Sequence, residues 1–452
     1  MCGKLGQKLR FVEKDTGAIY WGTELWLPKS KVPVESIKAS LTFDVGDDRI
    51  CVWKETDKHI ITPRELFSPE NLQNFHCPIF DVRQREYDVV HFQDRFLPRS
   101  QVQEDAWKVL SKAGCGVVNI ACGGGKTGLA LKKAAQQRGP TLVVINNTGT
   151  GKQWMEEANK FLGLGKDEIG LVKGSIFDWK KPLVIATIQT LSKRAEQWPD
   201  EFLRRWKTII FDEVHHTSAR VFSKVLPLFH GIRIGLTATL HREDGLEDIF
   251  LYHVGPVIFS DLSQELPAKI YFQQTPFYCS MTDPNILDIR GEFNIGKFYA
   301  YLGRMEDRNS FLVEHISRAL FNGRKILGFT HSREHTELLH KVIEESGVIH
   351  GGIKAGDRLR ILRECRAVFA TPGCAEEAMD DPALDTIMFF TPYQVWRTFQ
   401  QGIGRSQRRF GDKKEPMVVL FEDIRIPPSR GLYNQLRGHL RKFGYDFSTV
   451  KI

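Results

Sequence analysis

Short apolar runs that end in polar or glycine-bearing turns recur along most of this chain, and each is followed by a stretch with helical spacing. Val117, Val118 and Ile120 form one such run. Leu129, Ala130, Leu131, Ala134 and Ala135 then repeat at helical intervals behind a glycine turn. Thr141–Ile145 reads as the next strand, with a helix from about Gln153 to Phe161. Pro182–Ala186, Lys207–Phe211 (closed by Asp212) and Ile232–Leu236 (closed by Thr237) continue the alternation. Unbroken apolar strands separated by helices predict a mainly parallel sheet covered on both faces. The pattern weakens from Phe259 to Lys297, where Pro267, Pro276, Pro284 and Gly291 interrupt it, and Glu265–Phe277 reads as an extended crossover. A helix over Glu306–Phe321 follows. A second strand–helix set then runs through Lys325–Phe329, Arg333–Glu345, Val348–Ile349, Arg358–Cys365, Ala367–Ala370, Thr386–Phe390 and Met417–Phe421, with a basic helix over Arg430–Lys442.

The first 95 residues differ. Ala18–Leu27, Ser40–Val45 and Arg49–Trp53 carry β-branched and aromatic residues between Gly, Asp and Pro turns, which predicts a small, mostly β or α+β module. The expected organisation is therefore an accessory module (1–95), a first α/β lobe (96–257), a crossover (258–300) and a second α/β lobe (301–452). A length of 452 residues suits several such cores. In the module, Lys29, Lys31, Lys38, Arg64, Arg83 and Arg85 are interleaved with Trp21, Trp26, Trp53 and Phe75. That mixture fits a nucleic-acid surface and equally a small aromatic core with solvated cations.

Composition narrows the classes. Hydrophobic residues make up 42% and charged residues 26%, as in an ordinary globular protein. No run reaches the ~18–20 apolar residues of a membrane span, and the opening residues lack a signal-peptide core, so a cytoplasmic protein is expected. The eight cysteines are scattered without a C-x-x-C pair, which argues against zinc knuckles and a disulfide framework. A formal charge of +8 permits a nucleic-acid partner.

Chemistry concentrates at the ends of the apolar runs. Ala121, Cys122, Gly123, Gly124, Gly125, Lys126 and Thr127 join a strand to a helix, the context of a phosphate-binding loop. Glycines let backbone N–H groups converge on phosphate oxygens. Lys126 would neutralise the β- and γ-phosphates, and the Thr127 hydroxyl would ligate Mg²⁺. Ala121 stands where the general pattern has glycine. Ahead of the loop, Gln101 and Gln103 are both candidates to present an amide to adenine. Downstream, Asp212 and Glu213 end a strand, the first suited to hold Mg²⁺ and the second to activate water. His215 and His216 follow. A zinc site there is disfavoured by the lack of nearby cysteines, whereas Thr237 and Thr239 suit a link from His216 or the carboxylates to lobe movement. Arg242, Glu243 and Asp244 read either as a loop ion-pair cluster or as a DNA-facing element.

Taken together, ACGGGKT (121–127), QWMEE (153–157), DEVHH (212–216) and LTATLHRED (236–244) resemble a superfamily 2 helicase of the XPB/Rad25-like branch, and within it the related bacteriophage DNA helicases and branch-migration enzymes. The resemblance covers about residues 95–425. It implies two tandem RecA-like parallel-sheet domains of the P-loop NTPase class, with ATP and Mg²⁺ as cofactors and DNA, forked or branched, as partner. It further implies a monomer in the cytoplasm (the host's, if phage encoded), 3′ to 5′ polarity, and recombination or replication proteins nearby. Backbone contacts are implied for Asn147, Thr148, Gln153, Thr187, Gln189, Thr190, His350, Arg358 and Thr371; Trp154 and Glu157 read alternatively as packing and capping residues. Glu377 and Asp380 are placed near the nucleotide, although Ala378–Met379 departs from the family's usual glycine. In QGIGRSQRR (401–409), Gln401, Arg405 and Arg408 would reach the γ-phosphate. A translocase that does not separate strands, an RNA helicase and a non-hydrolysing scaffold are the competing readings.

Overall fold

The apolar strand Gly116–Ile120 is buried along its whole length because neighbours flank it on both sides and helices cover both faces. In the computed structural model, residues 17–451 are described apart from 46–47, 122, 147, 214–218, 239, 241–245, 263–267, 375–380, 382, 393–412 and 443. The chain folds into two units, 1–262 and 263–452.

The first unit holds an eight-stranded sheet. Its order is Ile176–Phe177, Ile169–Lys173, Leu183–Thr187, Thr141–Ile145, Thr208–Asp212, Ile232–Thr237, Gly116–Ile120 and Val257–Asp261. Every neighbouring pair is parallel except the first. Side chains alternate between two cores, as the pleat requires. Val118, Val143, Ile145 and Ile210 point into one, with Leu129, Trp154 and Phe161. Val117, Leu142, Val144, Ile209 and Phe211 point into the other, with Phe202, Phe222 and Phe229. From 116–120 the chain crosses to 141–145, builds outward, then returns to insert 208–212 and 232–237 between those two strands. The phosphate loop and the acid pair thus emerge on the same carboxyl edge, one strand apart.

The N-terminal module belongs to this unit. Its five-stranded sheet runs Lys54–Glu55, His59–Pro63, Glu24–Pro28, Ile19–Trp21 and Ile79–Asp81, with a hairpin of Thr42–Val45 and Asp48–Cys51 and the helix Val34–Ser40. The single run expected over 18–27 is two antiparallel strands, because Gly22 turns the chain back on itself. Leu246 and Ile249, from the first lobe, complete the module's core beside Ile19, Leu25, Leu27 and Ile60.

The second unit is a seven-stranded, wholly parallel sheet. Its order is Ser346–Ile349, Ala367–Ala370, Ile326–Phe329, Thr386–Phe389, Met417–Asp423, Lys269–Thr275 and Phe447–Val450. Residues 258–300, expected as a crossover, therefore supply an edge strand to the first sheet and an interior strand, Lys269–Thr275, to the second. Two glutamines and flanking prolines disguise that second strand, yet its apolar positions Ile270 and Phe272 are buried. The terminal strand Phe447–Val450 is short and mostly exposed, and nothing in the sequence pattern pointed to it. Among the described residues, no helix is long and apolar enough to cross a membrane.

Candidate active site

The loop after Gly116–Ile120 turns on glycines in the left-handed region, Gly123 at φ +83° and Gly125 at φ +85°, where a side chain would be strained. Gly124 packs down on the strand end; a Cβ there would lie 2.3 Å from Ile120 Cγ2. Gly125 caps the helix Lys126–Gln137, whose first-turn N–H groups and dipole face the loop. The Lys126 ammonium donates to the Ile120 carbonyl at 2.8 Å, holding the cation against the loop. Thr127 lies half-buried in the same first turn.

The two glutamines separate cleanly. Gln103 is buried; its Oε1 accepts from Arg99 N–H at 2.8 Å, and its Nε2 donates to the Gly124 carbonyl at 3.2 Å. Gln101 is exposed and turns to Asp105. The structure thus ties Gln103 to the phosphate loop and leaves Gln101 on the helix surface.

Asp212 ends the strand Thr208–Asp212, half-buried. Burial and the adjoining Glu213 carboxylate push its pKa up to about 6, while the Trp154 indole and the Lys126 charge act in the other direction. A carboxylate so placed favours a cation beside it, and with the Thr127 hydroxyl it offers the oxygen donors that Mg²⁺ takes. Glu213 has φ +49°, a left-handed conformation for a residue with a side chain. The Asn146 amide donates to the Glu213 carbonyl at 3.1 Å, and Trp154 Nε1 donates to Asp212 Oδ2 at 2.8 Å. Neither contact was expected from the sequence. Two hints were a polar residue ending the 141–145 run and a tryptophan at a core-facing position of the next helix.

Thr237 ends the strand between the loop and the acid pair and is fully buried. Of the residues expected at the nucleic-acid face, Thr148 opens the helix Thr148–Leu162, and Gln153 is half-buried on it. Gln189 is exposed, whereas Thr187 is buried and shares a 2.7 Å hydrogen bond with Thr190, facing inward instead of outward. His350 is likewise inside: Nε2 lies 2.9 Å from Glu337 and Nδ1 accepts from Gly352 N–H. Arg358 is half-buried and donates to the Ile353 carbonyl; Thr371 follows the strand Ala367–Ala370. In the N-terminal module, Arg64 is buried and bonded to the His230 and Gly231 carbonyls, so it is no surface cation. Lys29 and Lys38 pair with Glu55, and Arg83 and Arg85 with Asp81. Cys122, Asn147, His215, His216, Thr239, Arg242, Glu377, Asp380, Gln401, Arg405 and Arg408 lie outside the described residues.

Residues 93–242 match the family model described as the res subunit of type III restriction enzymes. Helicase D10 of Escherichia phage T5 is 36% identical over 320 residues, 67% of this chain and 66% of the relative. The DNA 3′-5′ helicase XPB of Kineococcus radiotolerans is 35% identical over 177 residues, 38% of this chain and 31% of the relative. The chain belongs to the XPB/Rad25-like branch of the superfamily 2 helicases. The names of these two relatives are both those of helicases. The chain spans under a third of the Kineococcus relative's length and about two thirds of the phage T5 relative's. Among solved structures, Saccharomyces cerevisiae Dbp5 bound to RNA and ADP BeF3 shares the fold, with a TM-score of 0.55 at 13% identity over 78% of this chain and 90% of that one.

Proposed function

We propose that this chain is a DNA helicase that couples ATP hydrolysis to unwinding or branch migration of forked DNA in recombination, repair or replication, and that it moves 3′ to 5′. The observation that carries the reading is the meeting, on one sheet edge, of the Lys126 loop with an Asp212 raised to about 6 beside Glu213. Lys126 and the 126–128 N–H groups would hold the phosphates, and Thr127 and Asp212 the Mg²⁺ that offsets their charge. Glu213 would orient and deprotonate water. Gln401, Arg405 and Arg408 are proposed to stabilise the γ-phosphate charge in the transition state, with Glu377 and Asp380 near the nucleotide. His216, Thr237 and Thr239 would pass its state onward. Gln153, Gln189, Thr148, Asn147, Arg242, Arg358 and Thr371 are the contacts proposed for the DNA backbone, a grip with little base preference and strong salt dependence. The polarity is supported by the likeness to the Kineococcus relative, a DNA 3′-5′ helicase.

The test is ATPase stimulation and strand displacement on forked, Holliday-type and blunt duplexes and on an RNA duplex, with Lys126→Ala as control. Displacement of 3′-tailed forks supports the proposal. Stimulation by blunt duplex without displacement would make the enzyme a translocase, and displacement of RNA alone would overturn the DNA assignment.

A further inference from the structure

We propose that Asn146 and Trp154 form the relay through which bound nucleic acid acts on the hydrolytic acids, Trp154 positioning Asp212 and Asn146 positioning Glu213. The inference rests on the motor reading above and deepens it.

Three hydrogen bonds define the relay. Trp154 Nε1 donates to Asp212 Oδ2 at 2.8 Å. Asn146 Nδ2 donates to the Glu213 carbonyl at 3.1 Å. Gln189 Nε2 donates to the Asn146 carbonyl at 3.1 Å. Both loops proposed to touch the DNA backbone, after Thr141–Ile145 and after Leu183–Thr187, are thus tied to the acid pair that ends Thr208–Asp212, all within the first unit.

The chemistry of each link explains its direction. An indole N–H can only donate, and Trp154 is 2% exposed, so leaving it unpaired would be costly. Its ring is fixed in the core beside Ile145, Ala158 and Phe161. The carboxylate it holds is the one proposed for Mg²⁺, so the indole sets which Asp212 oxygen stays free for the metal. Glu213 sits at φ +49°, a conformation that a residue with a Cβ keeps only when something holds it. The Asn146 amide is such a holder, because its bond goes to the carbonyl of that very residue. The helix Thr148–Leu162 is a rigid lever. Phosphates gripped at its first turn and at Gln153 act on a body that carries Trp154 one residue further on. A shift of the exposed Gln189 acts on Asn146 in the same way. Bound DNA and bound Mg²⁺-nucleotide therefore bias one shared arrangement, and their affinities must be linked reciprocally.

The experiment uses the full chain, a 3′-tailed DNA duplex and a non-hydrolysable ATP analogue with Mg²⁺. The affinity for DNA is measured with and without the analogue, and the quantity read is the ratio of the two. The wild-type ratio is expected to be fivefold or more. Trp154→Phe keeps a ring in the core but removes the donor, and is expected to bring the ratio within about twofold of unity. It should also raise severalfold the Mg²⁺ concentration that half-saturates hydrolysis. Asn146→Ala is expected to collapse the ratio as well, while lowering kcat at unchanged Mg²⁺ dependence. A residue that only packed the core would weaken each ligand alone and leave the ratio alone. If both variants fold and keep the wild-type ratio, the relay is overturned; should Trp154→Phe not fold, the half-buried Asn146 decides the matter. A wild-type ratio near one with DNA-stimulated hydrolysis intact would also overturn it. No hydrolysis and no DNA binding by the wild type would instead bring down the motor reading itself.

Discussion

Arg308 and Asp423 face each other in a fully buried, doubly hydrogen-bonded ion pair, Nε to Oδ1 at 2.9 Å and Nη2 to Oδ2 at 3.1 Å. Arg308 lies in the first turns of the helix Glu306–Phe321, and Asp423 is the last residue of the strand Met417–Asp423. The Phe390 carbonyl accepts from the same guanidinium and the Thr275 hydroxyl donates to the same carboxylate, so the pair joins three strand ends to one helix. Removing one partner leaves the other charged and dry. Asp423→Asn is therefore expected to destabilise the second unit by about 3–5 kcal/mol. Arg308→Met combined with Asp423→Leu should cost clearly less than the two single changes summed, as read by urea unfolding.

The two glutamines ahead of the phosphate loop give a second prediction. Gln103→Ala removes hydrogen bonds to Arg99 and Gly124 from a buried position. At about 1–2 kcal/mol, the loss amounts to a roughly five- to thirtyfold weaker hold on ATP. Gln101→Ala touches only a surface bond to Asp105 and is expected to change binding less than twofold. Calorimetric titration with Mg²⁺-ATP analogue compares the two.

The loop's fit against its own strand gives a third. Gly124→Ala would set a Cβ 2.3 Å from Ile120 Cγ2, and the loop must lift to accept it. The expected result is unchanged far-UV circular dichroism with at least about tenfold weaker nucleotide binding, since the N–H groups lose their convergence.

Stability should also fall in acid through His335. Burial, with the Arg308 charge adding to it, lowers the ring to about 3. The unfolded ring takes a proton near pH 6.5, the folded one only near 3. The unfolded state therefore binds more protons throughout that window, and the stability present above about pH 6.5 drains away as pH falls. The slope from this one group is up to about 1.4 kcal/mol per pH unit. His335→Gln should flatten the dependence of urea midpoint on pH between 6.5 and 4.

Much of this was legible in the chain. The buried parallel strands announce themselves because both faces need apolar residues, so Val117–Val118 and Leu142–Ile145 read as unbroken runs. The phosphate loop and Asp212–Glu213 were visible because backbone-directed chemistry needs glycines and acids at strand ends. Lys269–Thr275 escaped because Gln273 and Gln274 sit in an interior strand, where only three-dimensional neighbours make them tolerable. His350, Thr187 and Arg64 lie buried for a shared reason. A polar side chain looks solvent-bound in sequence, yet Glu337, Thr190 and the His230 carbonyl satisfy these three indoors. Trp154 was hidden differently, since its spacing matches plain core and only the fold carries Asp212 to its N–H, 58 positions away.

Arg64 crosses from the N-terminal module to the His230 and Gly231 carbonyls, and Arg233 crosses back to Thr23 while also holding Phe229 and His253. Two buried guanidinium groups are thus shared by a boundary that sequence composition would have drawn as a seam. Whatever tugs on the described part of the module near Thr23 or Arg64 is pulling on the eight-stranded sheet itself. An evolutionary exchange of that module for another could not be a simple swap of beads, because the lobe would keep one empty socket, the His230 and Gly231 carbonyls, and one plug, Arg233, short of its Thr23 partner.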